Sequence, residues 1–228
     1  LYNSVTKIPQ LYDYLSSIIP DFGNLLVDID SITDYINSVL IIELCKDIDN
    51  IPKTDNVFIQ KNVDTELDTQ FETLLNSQDQ LESCRSFFNS VVTKYEGNKK
   101  SKKNGIDDIE YVKIHETEKN NFSLIATNRR CKIISEIISK DKDTSKEIIY
   151  KSSFSGEDNT FTLEIGNNCL EYPKQTASNS SISSNQINKL CRNLTSTKTC
   201  LNTIVTNVYA TIVQNLEKYN NQIEKSLN

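Results

Sequence analysis

In the last quarter of the chain, apolar residues fall at Ile187, Leu190, Leu194, Leu201, Ile204, Val208, Ile212, Leu216, Tyr219, Ile223 and Leu227. The steps are threes, fours or their sums, and no proline or glycine interrupts Ser183 to Asn228. That period places one apolar stripe on one long helix. At about 1.5 Å per residue the helix would extend roughly 65 Å, more than a compact domain of this size needs, so it reads as a lever or stalk. A second stripe runs Leu67, Phe71, Leu74, Leu75, Leu81, Cys84, Phe88, Val91, Val92, Tyr95. Asp64 can cap that helix, Glu66 and Asp68 in its first turn suit the positive dipole end, and Gly97 is a reasonable stop. The two helices are expected to run antiparallel, since each buries a stripe and the chain leaves and returns between them.

Before the second stripe, Pro9, Pro20 and Pro52 divide residues 1–63 into short helices. Leu11, Tyr14, Leu15 and Ile18 suit one; Leu25, Leu26, Ile29, Ile32, Ile36, Val39 and Leu40 suit a longer one ending near Cys45, with a polar loop from Asp47 to Asp55. Between the two long helices the period changes from helical to alternating. Tyr111 to His115 and Phe122 to Ala126 read as strands joined through a polar turn at Glu118 to Asn121. Asn128 to Ser139 reads as a short helix with Ile133, Ile134, Ile137 and Ile138 on its apolar side. Ile148 to Tyr150, Phe161 to Ile165 and Cys169 to Tyr172 supply further strands. Four of the five glycines and Pro173 lie in residues 97–182. The expected fold class is therefore mainly α with a small β-rich insertion: a helical lever core and two long antiparallel helices carrying an antiparallel-sheet clamp at the tip. The expected divisions are 1–104 for the helical core and lever, with the first arm at 64–96, 105–178 for the clamp, and 179–228 for the returning helix.

Charge sharpens this division. The net charge of the 228 residues is −6, yet residues 1–93 hold 15 acids against 5 bases, residues 94–151 hold 14 bases against 10 acids, and the remainder is balanced. The middle is the basic part of a chain that otherwise repels polyanions. With 37% hydrophobic residues and a mean hydropathy of −0.46, no apolar run approaches the roughly 18 residues that span a bilayer, so no membrane partner is expected. The chain has no Met, even at position 1, which suggests a segment cut from a longer polypeptide. Six cysteines without a CxxC pattern read as reduced and structural, which favours an intracellular compartment.

Catalytic chemistry finds little support. His115 is the single histidine and sits in an alternating strand. There is no GxxxxGK[ST] to cradle a phosphate, no GxSxG or HExxH, and no His/Cys set with metal-ligand spacing. No enzyme activity, cofactor or metal is expected of these residues themselves.

With those pieces in order, the chain resembles the lever and clamp region of the MutS family of DNA mismatch-repair proteins. Val63-Asp64-Thr65-Glu66-Leu67-Asp68 is similar to that family's acidic start of the descending lever helix. Tyr111-Val112-Lys113-Ile114 through Phe122-Ser123-Leu124-Ile125-Ala126-Thr127, followed by Asn128-Arg129-Arg130, is similar to its clamp hairpin and basic helix start. Lys174-Gln175-Thr176, Asn179 and a long helix opening at Ser183 are similar to the segment that leads into its returning lever. The chain departs from the pattern in the Lys99–Lys103 tract, in the Ser/Asn run at 176–185, in Lys61-Asn62 where the family has glycine, and in a hairpin whose aromatics are only Tyr111 and Phe122. These departures suggest a divergent branch. The resemblance implies a non-catalytic region that grips double-stranded DNA, working in a homodimer or heterodimer whose ATP and Mg are handled outside these residues. Heavy use of Asn, Ile, Lys and Ser suggests an AT-rich genome, with a nucleus, an organelle or a viral factory as the intracellular setting.

A helix start exposes unpaired N–H groups and partial positive charge, which suits a phosphate. Thr127 and Asn128 can cap such a start, Arg129 and Arg130 add formal charge, and Lys132 lies close by. Family analogy adds Lys174, Gln175 and Asn179. Contacts of this kind hold the DNA backbone without reading bases. The competing reading is a helical stalk with a β tip that binds another protein, as a coiled-coil hinge does; polar Thr197, Lys198 and Asn215 interrupt the continuous seam it would need.

Overall fold

A computed structural model describes residues 7–18, 26–45, 57–97, 110–117, 121–166 and 169–220. In chain order the elements are α1 (Ile8–Ser16), α2 (Leu26–Val39), α3 (Ile42–Cys45), α4 (Thr65–Gly97), β1 (Val112–Glu116), β2 (Phe122–Thr127), α5 (Asn128–Ile138), β3 (Ser145–Lys151), β4 (Asp158–Glu164), β5 (Asn179–Ile182) and α6 (Asn185–Glu217). Long helices with a small antiparallel sheet are thus the architecture. α4 and α6 each have 33 residues, about 50 Å of helix. The chain forms two compact units, Leu1–Thr69 with Cys200–Asn228, and Gln70–Thr199.

In the first unit, Ile32 and Ile36 are buried under Leu40, Ile42, Leu216 and Tyr219. Phe58 is buried and meets the Tyr209 ring edge-on at 5.6 Å. The helix expected to end near Cys45 stops at Val39. Leu40 pairs with Ile59, the Ile41 N–H donates to the Phe58 carbonyl at 2.7 Å, and the Gln60 N–H donates to the Val39 carbonyl at 2.9 Å. Backbone pairing with a buried Val57-Phe58-Ile59 segment competes with the next helical turn and wins. The chain then re-enters a helix for only one turn, α3. Asp64 caps α4 as expected, its Oδ1 accepting the Leu67 N–H at 2.8 Å.

In the second unit, β1, β2 and β5 form one antiparallel sheet in that order, and β3 and β4 form a separate two-stranded ribbon. Val112 opposes Ala126, and Leu124 opposes both Ile114 and Ile182. The sheet buries Val112, Leu124, Ala126 and Ile182, and α5 buries Cys131, Ile133 and Ile134. The α4 stripe buries Leu74, Leu81, Cys84, Phe88 and Val92 in this unit, and the start of α6 buries Ile187, Cys191 and Leu194.

The structure corrects two sequence expectations here. Residues 179–182, assigned to the returning helix, are a strand paired with β2, and the helix opens at Asn185, where the Ser184 hydroxyl accepts the Ile187 N–H at 3.1 Å. The strand expected at Cys169 to Tyr172 is reduced to a single bridge between Glu171 and Ser183. Lys99–Lys103, the boundary at 104–105, residues 118–120 of the hairpin turn, and Ile223 and Leu227 lie outside the described residues. No described helix is long and apolar enough to cross a membrane.

Candidate nucleic-acid interface

Strand β2 runs straight into α5 at Thr127, whose extended backbone (φ −64°, ψ 150°) turns the chain and whose hydroxyl accepts the Arg130 N–H at 3.4 Å. Across the sheet, Thr127 lies opposite Asn179. The start of α5 and the turn Lys174–Asn179, some fifty residues apart in sequence, therefore meet at one edge. All eight residues singled out from the sequence belong to these two segments.

Asn128 ties the segments together. Its N–H donates to the Ser178 carbonyl at 2.9 Å, its side-chain amide donates to the Ala177 carbonyl at 2.8 Å, and its Oδ1 accepts from the buried Ser180 hydroxyl at 2.7 Å. Both ends of this side chain are used inside the protein. The turn closes on itself in the same way. The N–H groups of Gln175 and Thr176 both donate to the Asn179 carbonyl, at 3.0 and 3.1 Å, and the Asn179 N–H donates to the Thr176 hydroxyl at 3.1 Å. Gln175 Nε2 reaches Ser181 Oγ at 3.2 Å, and Lys174 bridges to Ser180 through the backbone.

The cations are presented differently. Arg129 is 74% exposed and makes a 3.4 Å ion pair with Glu96, which is only 13% exposed and lies in the last turn of α4. The Arg130 guanidinium sits 4.5 Å from the Tyr111 ring centroid, a cation–π stack. Tyr111 is itself fixed from α4, because Asn89 Oδ1 accepts its N–H at 2.6 Å and that of Val112 at 3.3 Å. Lys132 and Lys174 are exposed. Beneath them, burial raises the Cys131 thiol to about 11, so it stays protonated and unreactive at neutral pH. Burial, with Cys131 second, also raises Tyr172.

The phosphate-ready helix start expected from the sequence is thus partly spent. The N–H groups of Asn128 and Arg130 already have protein acceptors, so an anion would meet the Arg129 N–H and the side chains of Arg129, Lys132 and Lys174. Sequence reasoning did not single out Tyr111 as the platform under Arg130, nor Glu96 as the partner of Arg129. An aromatic opening a strand was legible; the carbonyls of Ala177 and Ser178 carry no side-chain signal at all. His115 is exposed on β1, opposite Ser123. Among the described residues no group of three or more His, Cys, Asp or Glu is placed to hold a metal ion. No protein-family model matches the chain, and the comparison with curated proteins returns no match.

Proposed function

We propose that this chain is the DNA-gripping and lever region of a MutS-type mismatch-repair protein, holding duplex backbone without reading its sequence. The observation that carries the proposal is that the start of α5, with exposed Arg129 and Lys132, and the turn that begins at exposed Lys174 are brought to one edge by the Thr127–Asn179 register and the bonds of Asn128. Exposed cations on a rigid strand–helix corner suit phosphates, and binding of that kind is salt-dependent and tolerant of sequence. The two ties from α4, Glu96 to Arg129 and Asn89 to Tyr111, support a lever role, because a shift of that helix end would be felt at the cations. On this reading the levers act as rigid bodies, a dimer encloses the duplex, and ATP and Mg belong to the ATPase of the parent protein.

The alternative is a protein-binding stalk, favoured by Ile149, 70% exposed on the β3–β4 ribbon. An electrophoretic mobility series on duplex DNA separates the two. The DNA-gripping reading expects a shift at low salt that fades as salt rises and weakens in the combined variant Arg129→Ala, Lys132→Ala, Lys174→Ala. A folded chain that shifts no duplex at low salt would favour the stalk.

A further inference from the structure

A second polar feature of the 70–199 unit is a cleft of about 420 Å³ walled by α4, β4 and the first turns of α6. Its volume falls in the roughly 300–1,000 Å³ range of small-molecule sites. Its frame is fixed by hydrogen bonds. Gln186 Oε1 accepts the Glu164 N–H at 2.8 Å and its Nε2 donates to the Thr162 carbonyl at 2.9 Å, while Gln80 Nε2 donates to the Tyr150 hydroxyl at 3.1 Å. Phe161, held edge-on to Tyr150 at 5.9 Å, supplies an aromatic wall.

Among the polar groups left over on this lining are those of Ser77, Lys189 and Asn193. Ser77 is 5% exposed, and its hydroxyl has no protein partner among the described residues. Neither the Asn193 amide nor the Lys189 ammonium has a side-chain partner among them. Lys189 and Asn193, four residues apart, share one face of α6, and Ser77 belongs to α4. A buried hydroxyl without a partner is destabilising, so a group that supplies one is favoured. No carboxylate lines the cleft, and Lys189 is its single formal charge.

We infer that this cleft binds a small anion carrying a flat ring. The anionic head would take Lys189, Asn193 and Ser77, and the ring would lie against Phe161. An aromatic carboxylate and a nucleoside monophosphate share this chemistry. The inference does not rest on the DNA-gripping reading, since none of its residues belongs to that edge.

The test is a backbone-amide NMR titration of the whole chain with benzoate, with adenosine monophosphate and with inorganic phosphate, each in separate arms. Saturable shifts at Ser77, Lys189 and Asn193 with benzoate or the nucleotide are expected, and the arm that saturates first identifies the class. Inorganic phosphate, lacking the ring, should bind more weakly. Lys189→Gln should weaken binding at least about tenfold, as for the loss of one charge-assisted hydrogen bond. Ser77→Ala, which keeps helix propensity, should weaken it less. Absence of saturable shifts at these three positions, or unchanged affinity in Lys189→Gln, overturns the inference.

Discussion

The α5 corner and the cleft are both rich in Asn, Gln and Ser, yet they use these residues in opposite ways. At the corner, Asn128, Gln175, Ser180 and Ser181 are bonded to one another or to nearby backbone, and the exposed charges are those of Arg129, Lys132 and Lys174. In the cleft, two glutamines fix the walls while the Ser77 hydroxyl and the Asn193 side-chain amide have no protein partner among the described residues. Residue type alone therefore does not mark a binding group. A polar side chain spent inside the fold builds shape, and one left over is available to a ligand.

Asn128→Ala should break the contrast most severely, because it leaves the buried Ser180 hydroxyl and the Ala177 carbonyl without their partner. A loss of about 1–3 kcal/mol in urea unfolding is expected, together with weaker duplex binding although no charge has changed. Unaltered stability would mean that the corner is held by backbone pairing alone.

Alkaline pH should act on the buried thiols beneath both regions. Burial raises Cys84 to about 12 and Cys191 to about 11, like Cys131, from an ordinary value of 9.0. A thiol whose folded pKa is raised stabilises the fold fully below pH 9 and loses that contribution as pH climbs toward 11–12. Unfolding midpoints should hold steady below pH 9 and fall above it, with the three thiols slow to alkylate in the folded chain and exposed Cys200 quick. Rapid labelling of Cys84 at neutral pH would contradict this burial.

Glu96→Gln should sharpen the contrast from the ligand side. On the DNA-gripping reading Glu96 competes with a phosphate for Arg129, in an ion pair largely screened because Arg129 is so exposed. Removing the acid should tighten duplex binding about two- to fivefold at low salt, an effect that disappears at high salt. The smallest effect belongs to Asn193→Ala, whose amide has no partner to lose: stability should stay within about 0.5 kcal/mol. The same change at Asn128 should be several times more costly.

Much of the fold was legible because it rests on periodicity. The α4 stripe, its Asp64 cap, the β1–β2 hairpin and the apolar side of α5 follow from spacing, and Leu74, Leu81, Phe88, Ile133 and Ile134 are buried where that spacing puts them. What escaped rests on pairing between distant backbones. Asn179-Ser180-Ser181-Ile182 has no alternation to announce a strand; it is one because β2 supplies the ladder and its hydroxyls find acceptors. The turn-back of Leu40 onto Ile59 is the same case, though three successive apolar residues at Val57–Ile59 were a usable signal. At the candidate interface, the residue types were readable and their division of labour was not. Asn128 and Arg129 are neighbours in sequence, and only the fold sends one inward and the other out.

The central claim is that Arg129, Lys132 and Lys174 form one sequence-indifferent phosphate grip. Its most direct test is the salt dependence of duplex affinity, measured for the chain and for the triple alanine variant on two unrelated sequences. Equal affinity for both sequences is predicted, with a log–log salt slope that becomes shallower by about 0.9 for each phosphate contact removed. The same slope in the variant and the parent chain, or a marked preference between the sequences, would contradict it.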